Sequence, residues 1–337
     1  MNDSPVKVIR AVDARAVGEE WSRLLIQSPA NTFFLTREWQ SLWWQVLGTP
    51  AGDTPATIGI RDGDLLVGLA PLMRPAADRA SLHFAGGEEI ADFLDMFALP
   101  GREPEVAAAV FDVLADERWS EIDLRNLRTD ALALSHFAPE AERRGCRVSV
   151  EQEDVSPWLR LPASWDAYLE SLSKKDRHEL RRKLRRLHAA GTVRSFVADD
   201  PATRAQDVAE FVRLMRLSAE SKAAFLTSEM TDWFDAIVSR FAPTGELKLY
   251  FLELDGIRIA TTICFVHNNR TLLYNSGYDP EHARLSAGLA LKAYCIEDAI
   301  ASGHEVFDFL QGNESYKYDL GAVDAPIYRL RIFRPQG

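Results

Sequence analysis

The chain has 337 residues, 26% charged and 47% hydrophobic, an ordinary globular composition with length enough for two domains. Fifty acidic against 39 basic side chains give a net charge of −11, which argues against general binding to nucleic acid or anionic membranes, since both need a positive field. Three cysteines, Cys146, Cys264 and Cys295, lie far apart with no CxxC pair, so neither a disulfide framework nor a zinc cage is expected, and a reducing, cytoplasmic setting is. Residues 1–5 run into charged positions without the apolar stretch of a leader, and the longest apolar run, Leu65–Met73, has the length of one strand and not of a membrane span.

Taken in chain order, an alternating strand is predicted at Val6–Ile9, followed by helices over about Asp13–Ile26 and Thr36–Val46, the latter with Trp39, Trp43 and Trp44 as packing residues. Asp62-Gly63-Asp64 separates two apolar runs, Ala56–Arg61 and Leu65–Leu72, and marks a hairpin. Strands at Ser81–Phe84 and Leu94–Ala98, a helix at Glu103–Asp116, a strand at Glu121–Leu124, a helix near Ala131–Arg144 broken by Pro139, and a strand at Cys146–Val150 complete the first segment. The second begins near Trp158 with a long helical region over Ser164–Ala190, then helices at Thr203–Ser221 and Ser228–Phe241. Strands follow at Leu247–Leu254, Ile257–Val266 and Thr271–Gly277, the first two joined by Asp255-Gly256. A helix over Ala287–Ala301 closes at Gly303, and strands are expected at Val306–Leu310 and Tyr328–Phe333.

The two segments repeat one another. Residues 58–63 and 66–69 resemble 251–256 and 259–262, and Glu121–Leu124 resembles Val306–Phe309, at offsets of roughly 185–193 residues. The order of elements predicts two copies of one α/β unit, over residues 1–152 and 153–337.

Three stretches could carry chemistry. The strand end Tyr274–Pro280 runs through Arg284-Leu285-Ser286-Ala287-Gly288 into a helix. A helix start offers unpaired N–H groups and partial positive charge to phosphate oxygens, worth about 0.3–2 kcal/mol per anionic contact; Gly288 permits close approach and Ser286 can cap. In Asp308–Tyr318, Asp308 sits between two phenylalanines, and Glu314, Tyr316 and Lys317 follow Gly312 at a strand end, where α/β folds gather ligands. In Lys174–His188, arginines flank a stripe of Leu169, Leu172, Leu180, Leu184 and Leu187; their guanidinium forks suit phosphate or carboxylate groups. Asp92 and Asp95 could place carboxylates in the first unit. The histidines show no metal-ligand spacing, and no GxSxG, HExxH or Walker pattern occurs, so no metal is expected.

The set of Ser-Lys-Lys-Asp-Arg177 with its arginine-rich helix, Tyr278-Asp279-Pro280 with Ser286-Ala287-Gly288, and Phe307–Tyr318 resembles GNAT-superfamily acyltransferases of the CelD-like, cellulose-biosynthesis-associated type, relatives of the FemAB transferases. Asn31–Trp39 and Asp92–Asp95 extend the resemblance over nearly the whole chain. It implies tandem GNAT-like folds, α/β with mixed sheets, of which the second is catalytic and the first degenerate. It implies acyl-CoA, acetyl-CoA in the simplest case, as co-substrate, a small-molecule or saccharide amine as acceptor, and a link to exopolysaccharide or envelope synthesis. Arg284 fits the superfamily's pyrophosphate turn, whereas the glycine stands one position away and leucine replaces its last residue.

On that basis Glu314, Asp308 and Tyr316 are expected to be catalytic, the first two as bases and the last as proton donor. Asn275, Ser276, Gly277, Arg284, Ser286, Ala287 and Gly288 are expected at the donor, and Asp92, Arg177, Arg181, Tyr278 and Lys317 at the substrate. Two other functions fit the residues: a FemAB-like transferase taking aminoacyl-tRNA, its phosphates met by the basic helix, and a binding module on a degenerate fold.

Overall fold

The structure, a computed structural model, describes residues 7–10 and 17–335. Val6 of the first expected strand and residues 13–16 of the first expected helix lie outside them, as do residues 1–5. Two compact units emerge, residues 1–154 with 325–337, and residues 155–324. Residues 325–337, expected in the second domain, group with the first because Ile327–Phe333 pairs antiparallel with Glu121–Arg128. Arg329 adds a bidentate bond to Asp123 at 2.7 and 2.6 Å, and Arg331 bonds Glu121 at 2.7 Å.

In the first unit the hairpin Ile58–Asp62 and Leu65–Ala70 is flanked by Lys7–Arg10 and by the two-residue strand Phe97–Ala98. Helices Glu19–Gln27 and Glu103–Ala115 pack on it, and Trp39, Trp43 and Trp44 are buried, as packing residues should be. The expected helix at 131–144 becomes a wide turn, Ala133–Phe137, and a regular helix, Ala138–Arg143, the break falling at Pro139.

The second unit repeats the hairpin with Leu247–Leu254 and Ile257–His267. Its turn residues Asp255 and Gly256 both take positive φ, 51° and 82°, as a two-residue hairpin loop requires. In both hairpins the register slips at the matching place, between Ile60 and Arg61 and between Leu252 and Glu253. Outside lies Val193–Val197, a short half-exposed strand that the periodicity did not reveal. Inside, Arg270–Tyr278 pairs antiparallel with Ile257–His267, then Val306–Asp308 pairs parallel with Arg270–Leu272 and antiparallel with Trp158–Arg160.

Alternation along these strands feeds two cores. Cys264 and Leu273 join the helix Ala287–Ala301 and Leu180 and Leu187 of the basic helix. Phe265 and Tyr274, pointing the other way, meet Phe241 and Phe234 of the helix Ser228–Phe241. The helical region expected over 164–190 is two helices, Trp165–Ser171 and Lys174–His188, because Ser173 caps the second by accepting from the Asp176 N–H at 3.2 Å.

Candidate active site

The site grows from one strand that loses a neighbour. Arg270–Tyr278 is paired along its length with Ile257–His267, but its parallel pairing with Val306–Asp308 covers only Arg270, Thr271 and Leu272. From Leu273 onward that edge has no strand partner among the described residues, so the sheet opens there. A bulge between Ile263 and Cys264 re-aims the strand at the same place. Beneath it the helix Arg204–Ser218 presses so close that a Cβ on Gly277 would lie 2.3 Å from the Met215 backbone nitrogen. Gly277, expected at the donor, is instead a packing residue.

The helix Ala287–Ala301 starts over this gap. Ser286 precedes it with φ 56° and ψ 39°, a left-handed conformation in which its side chain makes no cap, contrary to expectation. Its hydroxyl accepts a bond from Arg186 of the basic helix at 2.9 Å, and the buried Nε of Arg186 has no acceptor among the described residues. The first turn, Ala287-Gly288-Leu289, contains no acidic residue. Uncapped N–H groups without a neighbouring carboxylate are what an anionic oxygen needs.

A pocket of about 380 Å³ lies here, lined by Ser276 and Tyr278 from the strand, the first helical turn, Glu314 and Tyr316 from the following loop, and Lys222. Two of the three sequence stretches therefore meet in one cavity. Lys292, one turn beyond Gly288 and the only cation of its helix, also lines it; it is 6% exposed and donates to Ser276 Oγ at 3.1 Å and to the Gly288 carbonyl at 3.4 Å. Its ammonium sits 4.7 Å above the Tyr316 ring. Burial pushes its pKa down to about 8, and the charge on Lys222 adds to the effect. Lys222, from the short helix Glu220–Phe225, donates to the Ser276 carbonyl, and burial lowers its pKa as well. Burial pushes the Tyr316 phenol well up, with the Glu314 carboxylate adding to it, so the hydroxyl keeps its proton.

The loop that carries Glu314 is built around Lys317. This lysine is 1% exposed, and its ammonium donates to the carbonyls of Leu310, Gln311 and Gly312 at 3.0, 2.7 and 2.8 Å while pairing with Glu314 at 3.0 Å. The cage holds Leu310 at φ 56°, a strained value for a branched side chain. Lys317 is thus a positioning residue and not, as expected, a substrate contact. Burial raises the Glu314 carboxyl, but Lys317 and then Lys222 outweigh it and hold the pKa low.

Other expected residues fall elsewhere. Asp308 is buried away from the pocket lining, its Oδ1 accepting from Ser156 at 3.1 Å and from the Leu310 N–H at 3.0 Å; it shapes the loop and is not placed as a base. Arg284 is exposed and Asn275 half-buried, and neither lines the pocket. Asp92 belongs to the first unit, in a loop where Asp95 accepts N–H bonds from Met96, Leu132 and Ala133. Arg177 donates to the Glu170 carbonyl at 3.3 Å and Arg181 is exposed. An open groove along the basic helix is lined by Lys174, Lys175, His178, Arg182 and Arg185 instead, with Glu179 among them paired to Arg182. No metal-ligating cluster occurs among the described residues, and none of their helices is long and apolar enough to cross a membrane.

Residues 174–318 match the model of the family described as an acetyltransferase (GNAT) domain. The fold is a tandem GNAT-like α/β fold. It is similar to FemX, with a TM-score of 0.65, 12% identity and 96% of each chain covered. It is also similar to a tandem GNAT protein from the clavulanic acid biosynthesis pathway, with a TM-score of 0.55, 14% identity and coverage of 98% of this chain and 100% of that one. A third similar structure is the C-terminal domain of a putative lysylphosphatidylglycerol synthetase from Agrobacterium fabrum, with a TM-score of 0.57, 12% identity and coverage of 93% and 90%. No curated protein matches the sequence.

Proposed function

We propose that the second unit is an N-acyltransferase that moves an acyl group, acetyl in the simplest case, from acyl-CoA to an amine of a sugar, amino acid or envelope precursor by direct transfer. The observation that carries this reading is the single pocket in which an uncapped, acid-free helix start, an unpaired strand edge, Glu314 and Tyr316 come together. The GNAT domain match over 174–318 supports it.

The residues fit such a donor. Ala287, Gly288 and Leu289 offer N–H groups to a pyrophosphate, with Arg186 beside them. The backbone N–H of Ser276, at the opened edge, would meet the carbonyl oxygen as it becomes negative, a contact worth about 2.7–4 kcal/mol. The acceptor must lose a proton, since an ordinary amine with a pKa near 10.4 is mostly charged at neutral pH. Lys222 and Lys292 disfavour a third cation among them and so lower the amine's own pKa. Glu314 receives the amine proton as the C–N bond forms. Tyr316 then gives its proton to the sulfur as the C–S bond breaks. Such proton transfers contribute about 10²–10⁴ in rate.

The test is transfer from acetyl-CoA to a panel of amines, read alongside thermal unfolding with acyl-CoAs of several chain lengths. A true donor raises stability by about 2.7 kcal/mol at a hundred times its dissociation constant. Tyr316→Phe and Glu314→Gln should each lower turnover at least tenfold with the unfolding temperature unchanged; full activity in both would remove them from the chemistry, and no shift with any acyl-CoA would favour a non-catalytic binding module.

A second reading, transfer from aminoacyl-tRNA as the FemAB resemblance implies, is favoured by the cationic groove of the basic helix. It requires tRNA binding that weakens steeply with salt and is abolished by Arg185→Glu in that groove.

A further inference from the structure

Lys222 and Lys292 reach one residue from two elements, the first donating to the carbonyl of Ser276 and the second to its hydroxyl. Lys292 is buried and Lys222 half-buried, yet the hydrogen-bond partners of both ammonium groups here are neutral oxygens: the Ser276 carbonyl, the Ser276 hydroxyl and the Gly288 carbonyl. The one acid lining the pocket among the described residues, Glu314, is already paired with Lys317 at 3.0 Å. A protein with a net charge of −11 has therefore gathered an excess of positive charge in one half-open pocket. Buried charge without a counter-charge is costly, and a ligand that supplies the missing anion recovers that cost on binding.

From this geometry we infer that Lys222 and Lys292 form an anion subsite, and that the acceptor is an amine carrying a carboxylate or phosphate group close to the reacting nitrogen. The inference rests on the acyl-transfer reading and narrows its substrate class. Ser276 spaces the two ammonium groups, while Glu314, held by Lys317 through one oxygen, faces the same pocket and would share its charge with the amine. An acceptor with both charges would thus be held at two ends, its anion toward the lysines and its nitrogen toward the carboxylate. A plain aliphatic amine has only the second contact. Fixing orientation in this way acts on the transfer step itself as well as on binding.

The test compares matched amines with acetyl-CoA as donor: ethanolamine against O-phosphoethanolamine for phosphate, and propylamine against β-alanine for carboxylate. The expected result is a preference of at least tenfold in kcat/KM for one or both anionic members. Lys222→Met should bring that ratio close to one, whereas Lys222→Arg should keep most of it. Equal rates for charged and uncharged amines in the wild-type protein would overturn the inference while leaving acyl transfer standing. So would a preference that survives both Lys222→Met and Lys292→Met. Acetyl-CoA and acetyl-pantetheine are compared in the same variants; if Lys222→Met alters only the preference between those donors, the anion belongs to the donor and the inference fails. Should no amine be acetylated, the transfer reading falls, and calorimetric titration with inorganic phosphate and with acetate decides the subsite alone. Binding that Lys222→Met abolishes supports it, and binding that is absent or unchanged overturns it.

Discussion

The two units contain the same hairpin followed by the same kind of helix, and they differ where that helix begins. In the first unit Glu103–Ala115 opens with Glu103 and Glu105, and Arg102 is bound to Glu105. Two carboxylates at the positive end of a helix satisfy the dipole internally and repel any other anion. In the second unit Ala287–Ala301 opens with alanine, glycine and leucine and leaves that end uncommitted. The strand before it differs too: two residues, Phe97–Ala98, in the first unit against nine, Arg270–Tyr278, in the second. One copy commits its helix start to its own side chains, and the other leaves a strand edge and a helix start without such partners among the described residues.

The largest expected effect comes from the glycines that let helices approach the sheets. In the first unit a Cβ on Gly68 would lie 2.3 and 2.4 Å from the two methyl groups of Val106 and 2.9 Å from its Cβ, so the clash is with one side chain and not with main chain. In the second a Cβ on Gly277 would strike the backbone of Met215, which has none. Gly277→Ala should therefore cost more than the roughly 1–3 kcal/mol typical of overpacking, and Gly68→Ala should fall within that range. Thermal or denaturant unfolding of the two variants checks the order, and a reversed order would show that the helix 204–218 can be displaced.

Next is Lys292. Its folded pKa of about 8 lies below the ordinary 10.5 of an unfolded chain, so between those values the unfolded state holds more protons. Stability should rise as pH climbs from about 8 to about 10.5, and at neutral pH the buried ammonium costs about 3 kcal/mol. The groups that face it, Lys222, Glu314, Cys264 and Cys295, act in both directions, Lys222 lowering the pKa and the others raising it. Lys292→Met should raise the unfolding temperature at pH 7, lose that advantage by about pH 10.5, and lower activity. The helix Glu103–Ala115 of the first unit has no lysine, and a stability gain that does not shrink with pH would point to packing instead of charge.

The smallest expected effect transplants the difference itself. Ala287→Glu with Leu289→Glu gives the second helix the acidic first turn of the first. Acyl-CoA affinity should fall about a hundredfold, close to 2.7 kcal/mol, with the fold retained. Retained affinity would place the donor away from the helix start.

Much of this arrangement was legible from residues alone, and the particulars show why. Asp255-Gly256 and the apolar runs beside it specify a hairpin locally, and Ser228–Phe241 was found at its observed ends, because both signals are periodic and short in range. The meeting of Tyr274–Gly288 with Glu314 and Tyr316 followed from ligands gathering at strand ends. What stayed hidden depends on distant neighbours. Gly277 reads as a ligand glycine until Met215 is placed against it, and Lys317 reads as a substrate cation until three carbonyls close around it. Lys222 stands in an unremarkable polar stretch. Lys292 did leave a trace, the only cation of its helix and set in its apolar first half one turn from Gly288, and a search for buried charges would have found it.

The matched slips at Ile60/Arg61 and Leu252/Glu253 set where each hairpin can bend. Each lies two ladder pairs in from its loop, so the extra twist that a bulge brings enters both ribbons at the same distance from the turn.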